Sequence, residues 1–244
     1  MYIDGKLVVD RWEKQSYTTK TVSIDFVKGK KYKIQINFHE DRGEANIELI
    51  WNYGTHHYEK DMEEALQLAK EADYVLVTTG IHEGEFQDRS SLSLPGNQEE
   101  FIHKLSQLKK PTAVILVGGS AIKTTEWKDK VGAILDIWYL GEEGGNEVAK
   151  VLFGLENPSG KLPITFPISE GQLPLVYNHH PTGRGNDYHD LSGEPLYPFG
   201  FGLSYTQFEI SDYKINKTSF YQNDTIQMKA TVQNIGKMKG SEVI

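Results

Sequence analysis

Residues 74–95 read Y-V-L-V-T-T-G-I-H-E-G-E-F-Q-D-R-S-S-L-S-L-P and join a strand to a helix through a charged loop. Tyr74, Val75, Leu76 and Val77 form a short apolar run of β-favouring residues, the pattern of a buried strand. The run stops at Gly80. Beyond it, four of seven successive positions are ionisable: Glu83, Glu85, Asp88 and Arg89. Pro95 then precedes a predicted helix with Gln98, Glu99 and Glu100 in its first turn, where acidic side chains complement the helix dipole. Open α/β sheets bind their ligands outside the carboxyl ends of the strands. The loop is thus rich in carboxylates at the place where such a sheet does its chemistry.

The flanking sequence repeats the strand–helix alternation. Met62, Ala65, Leu66 and Ala69 fall on one helical stripe before the strand. After it come a helix over about 97–108, a strand over 113–117, Gly118-Gly119, and a strand over 133–138. Gly141-Glu142-Glu143-Gly144-Gly145 opens a further helix running to about Phe153. Such alternation predicts a parallel sheet with covered faces. The glycine-rich opening resembles an anion cradle, but Glu142 and Glu143 would repel phosphate, so a tight strand-to-helix turn is the better reading.

Both ends of the chain read as β. Asp4-Gly5 is a hairpin signal, residues 22–26 alternate, and Tyr32, Ile34, Ile36 and Phe38 alternate with Lys31, Lys33, Gln35 and Asn37. Ala45, Ile47, Leu49 and Trp51 repeat the pattern, so residues 1–52 predict an antiparallel meander with one wet face. Residues 157–205 are rich in Pro, Gly and aromatic residues without periodicity, and an irregular segment this long usually has a function or lies over another surface. Ile226, Met228, Ala230 and Val232 alternate near the end, predicting only the first strands of a β domain.

Composition bounds the chemistry. The chain has 244 residues and a formal net charge of −8, which argues against a nucleic-acid surface. It has no cysteine, which excludes disulfides, thiolate metal sites and cysteine nucleophiles. No apolar run approaches the roughly 18 residues of a membrane span. The N-terminus lacks the basic segment and apolar core of a signal peptide, which favours a cytoplasmic location while leaving localisation open. The His-His pairs at 56–57 and 179–180, with His189, read as surface or packing residues, because neighbouring side chains in extended chain point to opposite sides. Neither metal nor cofactor is expected. Trp127, Trp138, Tyr188 and Phe199 are candidate sugar-stacking faces, with core packing the better reading for Trp138.

Residues 139–167, Y-L-G-E-E-G-G-N-E-V-A-K-V-L-F-G-L-E-N-P-S-G-K-L-P-I-T-F-P, closely resemble family 3 glycoside hydrolases, the β-glucosidase group. The resemblance continues through L-P-G-N-Q at 94–98 and Y-P-F-G-F-G-L-S-Y-T at 197–206. It implies an α/β/α sandwich with a mostly parallel sheet over residues 55–206. Residues 1–54 would be the last part of a protective-antigen-type (PA14-type) antiparallel β-sandwich insert. Residues 207–244 would be the first strands of a fibronectin type III-like β-sandwich. Nothing in the chain resembles the (β/α)8 barrel that carries the family's catalytic aspartate nucleophile.

Retaining glycoside hydrolysis needs two carboxyl groups about 5 Å apart, one a nucleophile and one an acid that protonates the leaving oxygen. The acid must keep its proton near neutral pH, through burial or a negative neighbour. The residue matching the family's acid/base is Glu85, four before Arg89, with Glu83 the alternative. Asp88 and Arg89 are expected to pair and hold the loop, or to reach the substrate; Arg184, Asp187 and Tyr188 are expected at the rim of the site. The implied partners are β-linked glucosides or oligosaccharides and a barrel domain on another segment or chain, with no nucleic acid and no membrane. The expected chain supplies an acid/base loop and has little or no activity alone. A carbohydrate-binding accessory module and a subunit of a two-chain hydrolase are the alternatives.

Overall fold

A computed structural model describes residues 1–13, 20–40, 47–50, 58–86, 88–180 and 185–244. It divides into two compact units, Met1–Lys60 and Asp61–Ile244.

In the first unit, β1 (Tyr2–Ile3) pairs antiparallel with β2 (Lys6–Leu7) and with β3 (Ile34–Gln35). Asp4 and Gly5 both have positive φ, 49° and 78°, the turn that the Asp-Gly pair predicts because its twist matches that of the flanking strands. The Asp4 carboxylate also accepts the Lys33 amide at 2.8 Å, tying the turn to the third strand. The expected meander is otherwise much reduced. Only Ile34–Gln35 of the 32–38 run is in a ladder, and residues 22–26 and 47–50 have no strand partner among the described residues. Alternation fixes which side chains share a face; it does not supply a neighbouring backbone. Ala45 and Trp51 lie outside the described residues.

The second unit follows the predicted alternation closely. Helix α1 (Tyr58–Glu71) leads to β4 (Val75–Gly80), α2 (Gln98–Gln107), β5 (Thr112–Val117), β6 (Ala133–Asp136) and α3 (Gly144–Leu152). The three strands form a parallel sheet in the order β4-β5-β6. Ala69 of α1 and Ile102 and Leu105 of α2 pack with Val75, Val77, Val114 and Leu116, which share one face of the sheet by register, and with the fully buried Trp127. On the opposite face Leu76 remains 58% exposed, so the sheet is not covered on both sides along β4.

The described residues of the 157–205 segment form no long element, yet Gln172 knots several of them together. Its buried carboxamide accepts the Ile168 amide at 2.6 Å and donates to the Ser192 and Glu194 carbonyls at 2.9 and 3.0 Å. Ser169 caps the short turn Glu170–Gln172 in a capping box. Beyond it, β7 (Phe208–Ile215) and β8 (Met228–Asn234) make an antiparallel pair with a bulge between Ser211 and Lys214.

Candidate active site

The carboxyl ends of β4 and β5 stand side by side, since Gly80 is level with Val117. The two loops leaving them meet. Glu83, from the first loop, reaches Gly118-Gly119-Ser120, from the second. Its carboxylate accepts the Gly119 amide at 2.7 Å and the Ser120 hydroxyl, and Arg89 stands 3.6 Å away. The Tyr139 hydroxyl, at the end of the β6 segment, lies 3.1 Å from the Ile81 carbonyl and 3.4 Å from Glu83. The hydroxyl proton is shared between the two acceptors, with the shorter contact to Ile81. Partial burial works against the charged form of Glu83. Its donors Ser120 and Gly119, the Arg89 charge and Tyr139 outweigh that and hold its carboxyl below the usual carboxylate range.

Gly119 has a steric reason to be glycine. A Cβ there would stand 2.7 Å from the Glu83 carboxylate and 2.9 Å from the Tyr139 ring. A Cβ at Gly144 would likewise press to 2.5 Å on Leu140, whereas one at Gly141 or Gly145 would meet nothing within 4 Å, so the close turn asks for glycine only at Gly144.

Arg89 is the hub of the loop's return arm. Its guanidinium donates to the Ser120 hydroxyl at 2.9 Å and to the Ser91 carbonyl at 3.2 Å. The expected pairing with Asp88 is replaced by the ion pair with Glu83, because the Arg89 side chain turns inward to the glycine loop while Asp88 stays exposed. Farther along, Glu170 accepts the Leu92 amide at 2.8 Å and the Ser91 hydroxyl at 2.9 Å, and pairs with Lys123 at 3.3 Å. The Leu92 amide first, then its own amide, Ser91 and Lys123 hold the Glu170 carboxyl at about 2, against a lesser effect of burial.

Between these two anchored roots, Gly84, Glu85 and Phe86 are exposed. Phe86 has φ 63° and is 89% exposed, a left-handed bulky residue turned out to solvent. Glu83 and Glu85, two residues apart, therefore meet opposite environments. The first is a tethered carboxylate, and the second stands at the tip.

The other expected site residues are not drawn into this cluster. Asp187 accepts the Gly193 amide at 2.8 Å and the Ser192 hydroxyl at 3.3 Å, closing its own turn, and the Tyr188 amide bonds to Leu191. Arg184 lies outside the described residues. Among the described residues no group of three or more His, Asp or Glu side chains is placed to hold a metal. Trp127 is core, Trp138 packs edge-on to Phe166 with centroids 6.3 Å apart, and exposed Phe199 lies 4.8 Å from Tyr177. Asp136, at the end of β6, is pushed up by burial, partly offset by the Trp138 amide. The sequence reading missed Ser120, Tyr139 and Glu170. Gly-Gly-Ser directly after β5 was the available signal for the first; nothing near residue 170 pointed to a partner at residue 91.

A parallel α/β unit with a carboxylate loop at the strand ends fits a hydrolase domain, and sequence comparison makes the class specific. Residues 3–205 match the glycosyl hydrolase family 3 C-terminal domain, and the chain belongs to that family. It is 39% identical over 196 residues to a periplasmic beta-glucosidase of Salmonella typhimurium, covering 75% of this chain and 26% of the relative. It is 38% identical over 187 residues to a beta-xylosidase of Formosa agariphila, covering 74% and 26%. The beta-glucosidase of Listeria innocua in complex with glucose superposes with a TM-score of 0.71 at 30% identity, covering 76% of this chain and 28% of that one. The chain thus spans about a quarter of the length of these relatives.

Proposed function

We propose that this chain supplies the general acid/base loop of a retaining β-glucosidase-like hydrolase acting on terminal β-linked sugars, with Glu85 as the acid/base. The observation that carries the choice is the division of labour in the loop. Glu83 spends its oxygens on Gly119 and Ser120 and is held in its charged form, which suits an anchor and not a proton donor. Glu85 sits at the exposed tip, where a substrate or a covering surface can reach it.

The acid in such a mechanism gives its proton to the leaving oxygen and then takes one from water, while the nucleophile attacks from the other side of the sugar. Three carboxylates are tied to the 74–95 stretch among the described residues, Glu83, Glu99 and Glu170, and all three serve as acceptors within the fold. We therefore place the nucleophile in the barrel that the family supplies, on a further segment or a second chain. Without it the covalent route is missing, and this chain alone hydrolyses little or nothing.

The test is nitrophenol release from an aryl β-glucoside by the chain and by Glu85→Gln, alone and after adding a family 3 barrel domain. The expected result is no release alone, release with the barrel, and its loss in Glu85→Gln. Activity of the chain by itself that disappears in Glu85→Gln keeps the acid/base and sinks the missing nucleophile, directing the search to Asp88, Asp136, Asp187 and Asp190. Barrel-dependent activity unchanged in Glu85→Gln sinks the acid/base assignment.

A further inference from the structure

The carboxylate of Glu170 is separated by 78 residues of sequence from the Leu92 amide that it accepts, and it belongs to the irregular 157–205 segment, of which only Arg184, Asp187 and Tyr188 were expected near the site. We propose that Glu170 is a positioning residue for the acid/base loop: it fixes the return arm at Ser91 and Leu92, as Glu83 fixes the outgoing arm at Gly119 and Ser120, so that the tip bearing Glu85 is set before any substrate arrives. This rests on the reading of Glu85 as the acid.

Three observations support it. First, the Glu170 contacts to the loop are with both a side chain and the backbone: the Ser91 hydroxyl at 2.9 Å and the Leu92 amide at 2.8 Å. A backbone donor fixes the course of the chain, not merely one rotamer. Second, Leu92 is gripped from both sides, since its carbonyl accepts the Lys123 amide at 2.8 Å while the Lys123 ammonium pairs with Glu170 at 3.3 Å. Carboxylate, lysine and loop backbone close a ring. Third, Glu170 is itself immobilised. It opens the short turn capped by Ser169 and Gln172, and Gln172 is buried and bonded to Ile168, Ser192 and Glu194. Charge-assisted hydrogen bonds from a fixed carboxylate hold better than neutral ones from a mobile side chain. The tip is short, so an error in either root would move Glu85 relative to a bond it must reach within hydrogen-bond distance.

Limited trypsin digestion of the full chain, with mass spectrometry, reads release of the return arm at the Arg89–Ser90 bond, because the Arg89 side chain is engaged by the glycine loop when the arm is seated. Glu170→Ala should raise that cleavage about tenfold through local opening. Glu170→Gln retains an acceptor for Leu92 and Ser91 and should recover most of the protection. In the same variants the heteronuclear NOE of the Gly84 and Glu85 amides should fall with Ala and return with Gln. Ser91→Ala removes the hydroxyl that donates to Glu170 and accepts the Ser93 amide, without changing a residue of the 157–205 segment, and should give a smaller rise, about threefold. A lowered melting temperature in Glu170→Ala, with Arg89 cleavage and the two NOE values unchanged, would assign Glu170 to the irregular segment alone and overturn the proposal. So would unchanged cleavage in Ser91→Ala. If Glu85 is not the acid, the aryl glucoside assay fails while the protease pattern stands, so the two failures are separable.

Discussion

Glu83 and Glu85 have the same side chain in the same loop, and their neighbours alone separate them. A carboxylate with an amide, a hydroxyl and a guanidinium around it is stabilised as an anion, and this has a consequence for the acid limb of stability. The folded carboxyls of Glu83 and Glu170 lie below their ordinary value of 4.5, that of Glu170 at about 2. Each therefore contributes stability that is fully present above about pH 4.5 and is lost as pH falls through the folded value. Asp136 works in the opposite sense: burial raises its folded value, so its contribution is present at low pH and lost as pH rises through that value. Among the described residues Glu83, Glu170 and Asp224 are lowered against Asp136 raised, so the urea midpoint should fall as the pH is lowered from 5 towards 3 by the reasoning of linkage. Glu170→Gln cannot titrate and should show a shallower fall across that window. A midpoint that rises on acidification, or a variant with the same slope as wild type, would show that these carboxylates do not govern the acid limb.

At the level of elements, the sheet edge at β4 exposes a problem that one side chain solves. Among the described residues β4 pairs only with β5, so its outer edge carries backbone groups without a ladder partner there. At Gly80 the Gln98 carboxamide replaces a strand: it accepts the Gly80 amide at 2.7 Å and donates to the Gly80 carbonyl at 2.9 Å. It also donates to Pro95 at 3.0 Å, and Gly96 at φ 64° turns the chain into α2 so that the reach is possible. Gln98→Leu has nearly the same size and cannot make these bonds, so it should lower unfolding free energy by about 2 kcal/mol, readable in urea titration. A loss within a few tenths of a kcal/mol would mean that water replaces the carboxamide at no cost. The strand and the helix were both legible in the sequence, the first from the apolar run at 74–77 and the second from Pro95 and the acidic first turn after it. The bond between them was not, because a glutamine in a first helical turn gives no sign of which backbone it will meet. Alternation failed more seriously in residues 22–52, where the pattern was equally clear and described residues formed almost no ladder. A period of two states which side chains share a face; pairing depends on distant backbone that the pattern does not name.

Across the whole second unit, the parts that periodicity left blank turn out to hold the others in place. Gln172 and Glu170 do so for the site, and Asn157 does so for the β7–β8 pair. A two-stranded sheet is marginal by itself. Here Asn157 accepts the Ser204 hydroxyl and the Tyr205 amide, both at 2.8 Å, and donates to the Lys239 carbonyl at 3.3 Å, joining the chain just before β7 to the chain after β8. Lys161 adds an ion pair to Glu242 at 3.1 Å and a bond to the Gly202 carbonyl at 2.8 Å, with both ends of the pair largely withdrawn from solvent. The family motifs at 139–167 and 197–206 were recognisable as strings, but the strings do not state that the second closes over the first, with the Leu162 amide donating to the Phe201 carbonyl and the Gly200 amide to the Leu162 carbonyl, both at 2.8 Å. Asn157→Ala should therefore uncouple the hairpin without disturbing the sheet. Amide exchange in β7 and β8 should rise about tenfold or more, in keeping with the loss of the three Asn157 hydrogen bonds at a local opening, while the β4 and β5 amides keep their protection. Equal acceleration in both sheets would mean that the hairpin and the α/β unit unfold as one cooperative body, and unchanged exchange in the hairpin would mean that the Lys161–Glu242 pair is a sufficient anchor alone.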